Sequence, residues 1–425
     1  MSMRTSRISG FYNLSVEERL RIVKEFADLT DEEVEVLRSG KLTIEIADHM
    51  IENVVGLYSL PFAVATNFLI NGKDYLIPMV IEEPSVVAAA SNAAKMARES
   101  GGFEANATES IMISQIQVVK VPNLEEARSR ILAEKERLLA SANEMDPLLT
   151  KLGGGARDLE VRVVESDTEP MLIVHLLVDT LDAMGANTVN TMAEGLAPTI
   201  ERLTGGRVYL RIISNLADRR LARAKAKFSK AAIGGEEVVE GIMWAYRFAK
   251  YDPYRAATHN KGIMNGIIAV ALATGQDTRA LEAGAHSYAA RSGKYTTLTD
   301  YWVDENGDLW GSIEVPMAVG TVGGVVRVHP IAKVALRILG VERARELAMV
   351  MASVGLAQNF AALRALATEG IQAGHMKLHA RNIAMSVGAT PSEVDDVVER
   401  MLREKKISVE RAKQILEEIR SGKKA

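Results

Sequence analysis

The sequence predicts an α+β protein: a large, mainly helical domain, an inserted ferredoxin-like unit and a C-terminal helical flap. Three observations predict it. Between residues 111 and 213 the apolar pattern switches from a period of two to a helical period and back, in the order β-α-β-β-α-β. Most of the remaining chain reads as capped or small-residue helices. The tail is charged and carries few large apolar side chains, as expected of a helical appendage. The expected division is 1–110 for the first part of the large domain, 111–216 for the insert, 217–375 for the second part and 376–425 for the flap.

The elements follow in order. Ser15…Glu18 and Thr30…Glu33 match the capping box, in which a hydroxyl and a carboxylate satisfy orphan amides reciprocally, and start two short helices. Segment 43–58 reads as a further helix running into Glu52–Gly56. Asn67–Val80 is extended, with a hairpin turn at Asn71-Gly72. Pro84 opens a small-residue helix, Ser85–Ser100, that Gly101-Gly102 ends. In the insert, Ile111–Val121 alternates as a strand and Asn123–Glu144 is one charged amphipathic helix. Asp158–Glu165 and Met171–Val178 are strands, Asn187–Leu203 a helix and Arg207–Ile213 a strand. After Ser214 helices dominate, apart from a β-rich stretch near Thr296–Val328. Thr390-Pro-Ser-Glu393 and residues 408–420 supply the last two helices.

The 425 residues are 48% hydrophobic and 25% charged, ordinary for a soluble protein with large cores. A net charge of −4 argues against nucleic acid as a partner, since phosphate binding wants a basic surface. The strongest apolar stretches, Met171–Val178 and Gly266–Ala273, are too short to span a bilayer. Residues 1–8 have no apolar signal core. The expectation is a cytoplasmic protein with no membrane contact. The absence of cysteine excludes disulfides, thiolate metal sites and a cysteine nucleophile, so thioester chemistry would proceed without an enzyme thioester.

Several constellations carry chemistry. Lys261 opens fifteen uncharged residues, Gly262–Gln276, that end at Asp277. A lysine carried inside with such a run needs a partner, because a buried ammonium is costly. A straight helix would hold Lys261 and Asp277 about 24 Å apart. Their pairing therefore requires the chain to double back at Gly262, Gly266 or Gly275. Glu82-Glu83-Pro84-Ser85 places two carboxylates at a helix start; the dipole explains one, and the other could carry a raised pKa as a general acid. Asp182-Ala-Met-Gly-Ala-Asn187 is a candidate anion site, with Gly185 admitting a ligand to the backbone and Asn187 capping the helix. On the motif alone, an ordinary capped turn is the favoured reading there. Gly153-Gly154-Gly155 is a second flexible loop of the insert, and Asp146 could meet a ribose hydroxyl. No G-x-G-x-x-G follows the first strand of the insert, so the Rossmann fold is not expected. His375 and His379 share a helical face, but Met376 stands where a zincin carries glutamate, and no metal is expected. Proton transfer by one of them, beside Gly370 and Gly374 as hinges, fits better. The other five histidines read as structural.

In combination these segments resemble the soluble bacterial and archaeal class of 3-hydroxy-3-methylglutaryl-coenzyme A reductases. The resemblance runs from Phe11-Tyr-Asn-Leu-Ser15 to the C-terminal helices. It rests on Glu52-Asn-Val-Val-Gly56, Glu82-Glu-Pro-Ser-Val-Val-Ala-Ala-Ala-Ser91, Asp182–Asn187 with Thr188-Val-Asn-Thr-Met192, Arg255–Gly266 and Glu369-Gly-Ile-Gln-Ala-Gly-His-Met376. The family's Glu-Asn-Val-Ile-Gly block reads Val55 in place of isoleucine. Tyr12 stands where some relatives carry an arginine near the coenzyme A phosphates, so that contact is not carried over.

The resemblance implies reduction of the thioester to mevalonate with two nicotinamide hydrides and release of coenzyme A, or the reverse oxidation. It implies an oxyanion-stabilising Lys261, a proton-donating Glu83, a tuning Asp277 and a His375 that protonates the leaving thiolate. Ser85, Arg255, Thr258 and Asn265 would hold the hydroxymethylglutaryl group. Asp146, Asp182, Met184, Gly185 and Asn187 would bind the cofactor, with Asp146 repelling a 2′-phosphate and so favouring NADH over NADPH. A homodimer with shared active sites is implied, with a hexamer, as a trimer of dimers, a further state. Two alternatives stay open: another nicotinamide-dependent acyl-CoA or aldehyde reductase, and a non-catalytic coenzyme A-binding protein.

Overall fold

The structure, a computed structural model, describes residues 4–368 and 370–421, and the side chains of 371–378 and 391 lie outside the described set. Three short helices come first: α1 (Val16–Ala27), α2 (Asp31–Ser39) and α3 (Ile44–Met50). The two expected capping boxes form at Ser15–Glu18 and Thr30–Glu33. The third helix stops at Met50 rather than running on through Gly56. Residues 51–61 are irregular and leave Val55 and Tyr58 exposed, so the apolar character of this segment is not that of a buried helix face.

Strands β1 (Phe62–Ile70) and β2 (Lys73–Val80) form the expected hairpin, with Asn71 and Gly72 both at positive φ. After α4 (Val86–Arg98) and β3 (Phe103–Ala107) the chain leaves for the insert. There β4 (Ile111–Val119) is followed by α5 (Leu124–Ala133), α6 (Lys135–Glu144) and α7 (Pro147–Lys151). The single helix expected over 123–144 breaks at Glu134, whose ψ of 9° ends one helix and starts the next. Strands β5 (Gly155–Val164) and β6 (Met171–Asp179), helix α8 (Ala186–Thr204) and strand β7 (Arg207–Ile213) complete the unit. Its sheet is antiparallel in the order β5-β6-β4-β7, as a ferredoxin-like unit requires. Leu138, Met192, Leu196 and Ile200 from the helices pack with Met112, Ile116, Leu172 and Val174 from the sheet in a core of their own.

The chain then returns to the first sheet through β8 (Leu221–Phe228), α9 (Lys230–Ile233) and α10 (Glu236–Tyr251). Helices α11 (Pro253–Ala273) and α12 (Thr278–Ala289) precede the hairpin β9 (Thr299–Val303) and β10 (Leu309–Pro316). The completed six-stranded sheet has the order β2-β1-β3-β8-β10-β9. After α13 (Gly324–Val328) and α14 (Pro330–Leu339) comes α15 (Ala344–Ala367), whose apolar window is 78% buried, so its hydrophobic length is that of a core helix. Helices α11 and α15 cross closely; a Cβ on Gly266 would meet Val354 and Gln358 of α15 at 3.0 Å. The tail holds α16 (Ile371–Ser386), α17 (Pro391–Arg403) and α18 (Val409–Arg420), packed around Val397, Met401 and Ile415.

One expectation fails here. The run after Lys261 does not double back: α11 continues unbroken to Ala273, about 18 Å of helix axis beyond Lys261. The run is uncharged because that part of α11 crosses the core, with Ile263, Ile267, Val270 and Ala271 fully buried. Lys261 sits on the outer face of α11 and stays 60% exposed, not carried inside.

Candidate active site

Helix α11 presents the site. Asp252 caps it, accepting the Arg255 N–H at 2.8 Å, and Pro253 fits its first turn. Arg255, Thr258, Lys261 and Asn265 follow at spacings of three and four, which places them on one face. The opposite face, Ala256, His259, Asn260, Ile263 and Met264, is buried. The site is therefore a polar stripe on a helix whose other side is fixed in the core.

Lys261 Nζ donates to Glu83 Oε2 at 2.9 Å across 178 positions of sequence. Glu83 lies just beyond β2, in the link to α4. Ser85, two residues on, ends that link with φ +76° and leaves the first turn of α4 without a side-chain cap. The expected pair Glu83 and Lys261 thus meets, with Ser85 close in sequence to the carboxylate. The side chains of Arg255, Thr258 and Asn265 make no hydrogen bond to protein among the described residues. Unsatisfied polar groups beside an ion pair are what a polar ligand needs. Burial lowers the pKa of the half-buried Arg255, which still leaves a cation able to grip a carboxylate with two parallel bonds.

Beneath the stripe is a buried hydrogen-bonded network, in which His259 Nδ1 is left without a partner among the described residues. His259 Nε2 lies 2.7 Å from Thr299 Oγ1, and Thr299 and Tyr301 both donate to Asn359 Oδ1. Burial, helped by Arg255, pushes the His259 pKa down to about 3. Asn260 bonds Tyr295 and the backbone of Thr296 and Leu298. These residues hold α11; they are not offered to a ligand.

Asp277 is not part of this cluster. It caps α12, accepting from the N–H groups of Arg279 and Ala280 at 3.0 Å, and pairs with Arg279. The expected Lys261–Asp277 pair is therefore replaced in this chain by Lys261–Glu83. The His375 side chain falls outside the described residues, although its position is in α16; His379 is exposed.

The second candidate cluster precedes α8. Gly185, at φ +95°, is the N-cap of α8 and offers no side-chain cap. Asn187, expected to cap, is instead the second helical residue and exposed, because Gly185 takes the left-handed turn that sets the cap two residues earlier. Asp146 caps α7 through the Leu149 N–H and also accepts from Thr188 Oγ1 at 3.0 Å, which brings its carboxylate to the first turn of α8. Asp182 turns the other way: its carboxylate takes the Ala344 N–H and Arg343 at the start of α15. Met184 is half-buried beside Gly185. The free N–H groups of α8 with Asp146 alongside suit an anion next to a hydroxyl-bearing group.

Comparison with known proteins places this arrangement. The family model for hydroxymethylglutaryl-coenzyme A reductase matches residues 15–380. The 3-hydroxy-3-methylglutaryl-coenzyme A reductase of Archaeoglobus fulgidus is 64% identical over 417 residues, 98% of this chain and 95% of that one. Among solved structures, the Streptococcus pneumoniae reductase superposes with a TM-score of 0.83 at 43% identity, over 97% of this chain and 99% of that one. A structure of the Streptococcus pneumoniae class II enzyme, bound to NADPH in open conformations, gives a TM-score of 0.82 at 44% identity, over 96% of this chain and all of that one. The chain belongs to the hydroxymethylglutaryl-coenzyme A reductase family, in its class II form.

Proposed function

We propose that this protein reduces 3-hydroxy-3-methylglutaryl-CoA to mevalonate and free coenzyme A, using two reduced nicotinamides and two protons, or runs the same reaction in reverse. The observation that carries the reading is the 2.9 Å Lys261–Glu83 pair on a face that also offers Arg255, Thr258 and Asn265, whose side chains have no protein partner among the described residues. When hydride reaches the thioester carbon, negative charge grows on its oxygen, and the Lys261 ammonium is the cation placed to receive it. Glu83, hydrogen-bonded to that ammonium, supplies the proton that turns the oxygen into a hydroxyl. Arg255 holds the free carboxylate of the acyl group, with Ser85, Thr258 and Asn265 around its hydroxyl.

The first hydride gives a hemithioacetal of coenzyme A. Its collapse releases the thiol and an aldehyde, which takes the second hydride. Without a cysteine the intermediate is held non-covalently. His375, in α16, protonates the departing thiolate in this proposal. Residues 182–187 and Asp146 take the dinucleotide, and the Asp146 charge favours NADH over a cofactor with a 2′-phosphate. The reaction takes place in the cytoplasm, in a homodimer with shared sites, for which the exposed Val55 and Tyr58 offer apolar surface.

The test is substrate-dependent oxidation of NADH followed by absorbance. Hydroxymethylglutaryl-CoA should be turned over and acetyl-CoA should not; equal rates would instead favour a general acyl-CoA reductase, and no rate a binding protein. Asp277→Asn separates a helix cap from a catalytic acid. Asparagine caps as well as aspartate, so thermal stability should hold. A fall in turnover of about 100-fold would then report proton transfer, and unchanged turnover would leave Asp277 a cap.

A further inference from the structure

A buried cation stands behind the loop that leads into α8. Arg220, immediately before β8, is 4% exposed. Its guanidinium donates to Thr180 Oγ1 at 3.0 Å, to the carbonyls of Ala183 and Met184 at 3.2 Å, and to the carbonyl of Val319. No carboxylate hydrogen-bonds to it among the described residues. Burial brings its pKa down to about 10, while Asp179 and Asp182 oppose the fall, so the group is charged at neutral pH. A buried charge held by neutral acceptors is costly to take out of water. A fold that needed only a plug at this place could use an apolar side chain.

The geometry gives the charge a purpose. In a trans peptide the carbonyl and the following N–H point in opposite directions. Holding the carbonyls of Ala183 and Met184 therefore turns the N–H groups of Met184 and Gly185 to the far side of the loop. The Gly185 N–H has no protein acceptor among the described residues, while the Met184 N–H faces the 320–322 segment, where Ala183 bridges Val322 in parallel. The Gly185 N–H continues into the uncapped first turn of α8 and makes one concave row of donors with it. The loop is strained, with Leu181 at φ +53° as well as Gly185 at +95°. Thr180, the hydroxyl partner of Arg220, packs directly under Gly185: a Cβ there would come within 2.2 Å of Thr180 Cγ2. The other edge of the loop is tied to the large domain, where the N–H groups of Thr321 and Val322 reach the Asp182 carbonyl at 2.8 and 3.3 Å.

We propose that Arg220 is a positioning residue for the dinucleotide: from behind, it fixes the loop 180–185 so that the N–H groups of Gly185 and the start of α8 converge on a pyrophosphate. This rests on the reading of 182–187 as the cofactor loop. Arg220 touches no cofactor itself, and its effect passes through the orientation of two peptide planes.

The experiment is steady-state kinetics of the full chain with NADH and hydroxymethylglutaryl-CoA varied in turn, together with NADH affinity by fluorescence. Arg220→Met and Thr180→Val should raise KM and Kd for NADH about 10-fold, the worth of one such hydrogen bond, with KM for the acyl-CoA within about 2-fold. Arg220→Lys should fall between, since it keeps the charge but offers a point rather than a planar fork. Equal shifts in both KM values, or a loss of kcat alone, would make Arg220 a structural residue and overturn the proposal. If Arg220→Met does not fold, Thr180→Val and Arg220→Lys decide by the same readout. Gly185→Ala is the control on the reading beneath. If it raises the NADH KM and the Arg220 and Thr180 variants do not, the positioning role alone fails. If it too leaves NADH binding unchanged, the loop is not the cofactor site.

Discussion

On α11 the groups offered to a ligand are side chains: Arg255, Thr258, Lys261 and Asn265 stand on a helix whose far face is locked in the core. Before α8 they are backbone N–H groups, and the residues that matter are those that aim them from behind. The two clusters accordingly fail in different ways. A side chain removed from the α11 stripe takes one interaction with it and leaves the helix intact, because each is at least partly exposed and the cap at Asp252 is elsewhere. A change behind the α8 loop alters no chemical group at the surface, yet it moves every donor that the surface presents.

The largest effect that separates the clusters is expected from Lys261→Ala. Removing the one ammonium placed at the reacting oxygen should cost at least 100-fold in kcat. The Lys261–Glu83 pair is largely exposed, so melting temperature should change little. A variant that keeps its turnover would remove Lys261 from the chemistry and dissolve the contrast. Next comes Arg255→Ala, which should raise KM for the acyl-CoA by about 10- to 100-fold, the range for a charge-assisted bond. The KM for NADH should not follow. If both rise together, the two clusters are one binding unit and not two.

The same contrast explains what could be read from the sequence. Of the stripe, only Lys261 was legible from the residues, by the uncharged run it opens; Arg255, Thr258 and Asn265 came from the family resemblance, and the helix then puts all four on one face at threes and fours. The insert was legible because alternation at Ile111–Val121 and the short β-rich run Met171–Val178 mark strands without any knowledge of partners. The course of Gly262–Ala273 was not. A helix apolar on every side carries no periodicity, and its direction is set by α15, some ninety residues later. Glu83 was legible as a carboxylate out of place, while its meeting with Lys261, 178 residues away, rested on the resemblance and not on local pattern. Arg220 was invisible for the same reason: in Asp218-Arg219-Arg220 it reads as surface charge, and only the fold puts it behind Thr180.

A smaller effect belongs to Asp146, which caps α7 and faces Thr188 at the mouth of α8. Asp146→Asn keeps the cap, since asparagine serves equally, and removes only the charge. At an effective dielectric typical of a partly exposed site, that charge acting on a nearby phosphate is worth about 1 to 2 kcal/mol. The ratio of kcat/KM for NADPH to that for NADH should therefore rise roughly tenfold. A ratio unchanged within twofold would mean that cofactor choice is made elsewhere, and that the loop reads pyrophosphate alone.

The smallest effect tests the foundation of the α11 stripe and not its chemistry. Folding buries His259 and lowers its pKa to about 3, against an ordinary value of 6.5 in the unfolded chain. Below pH 6.5 the unfolded chain therefore binds a proton that the folded protein refuses. Stability rises with pH wherever the unfolded state holds more protons, so on acidification this group contributes a loss that begins near pH 6.5 and ends near pH 3. Its full slope is about 1.4 kcal/mol per pH unit. His259→Gln keeps a donor near Thr299 and cannot titrate. It should be somewhat less stable than the parent at pH 7, yet lose less between pH 6 and 4 in denaturant melts, so that the two curves converge as pH falls. Parallel curves would mean that His259 is protonated or exposed in the native protein, and that α11 is not held from below as the His259–Thr299 hydrogen bond requires.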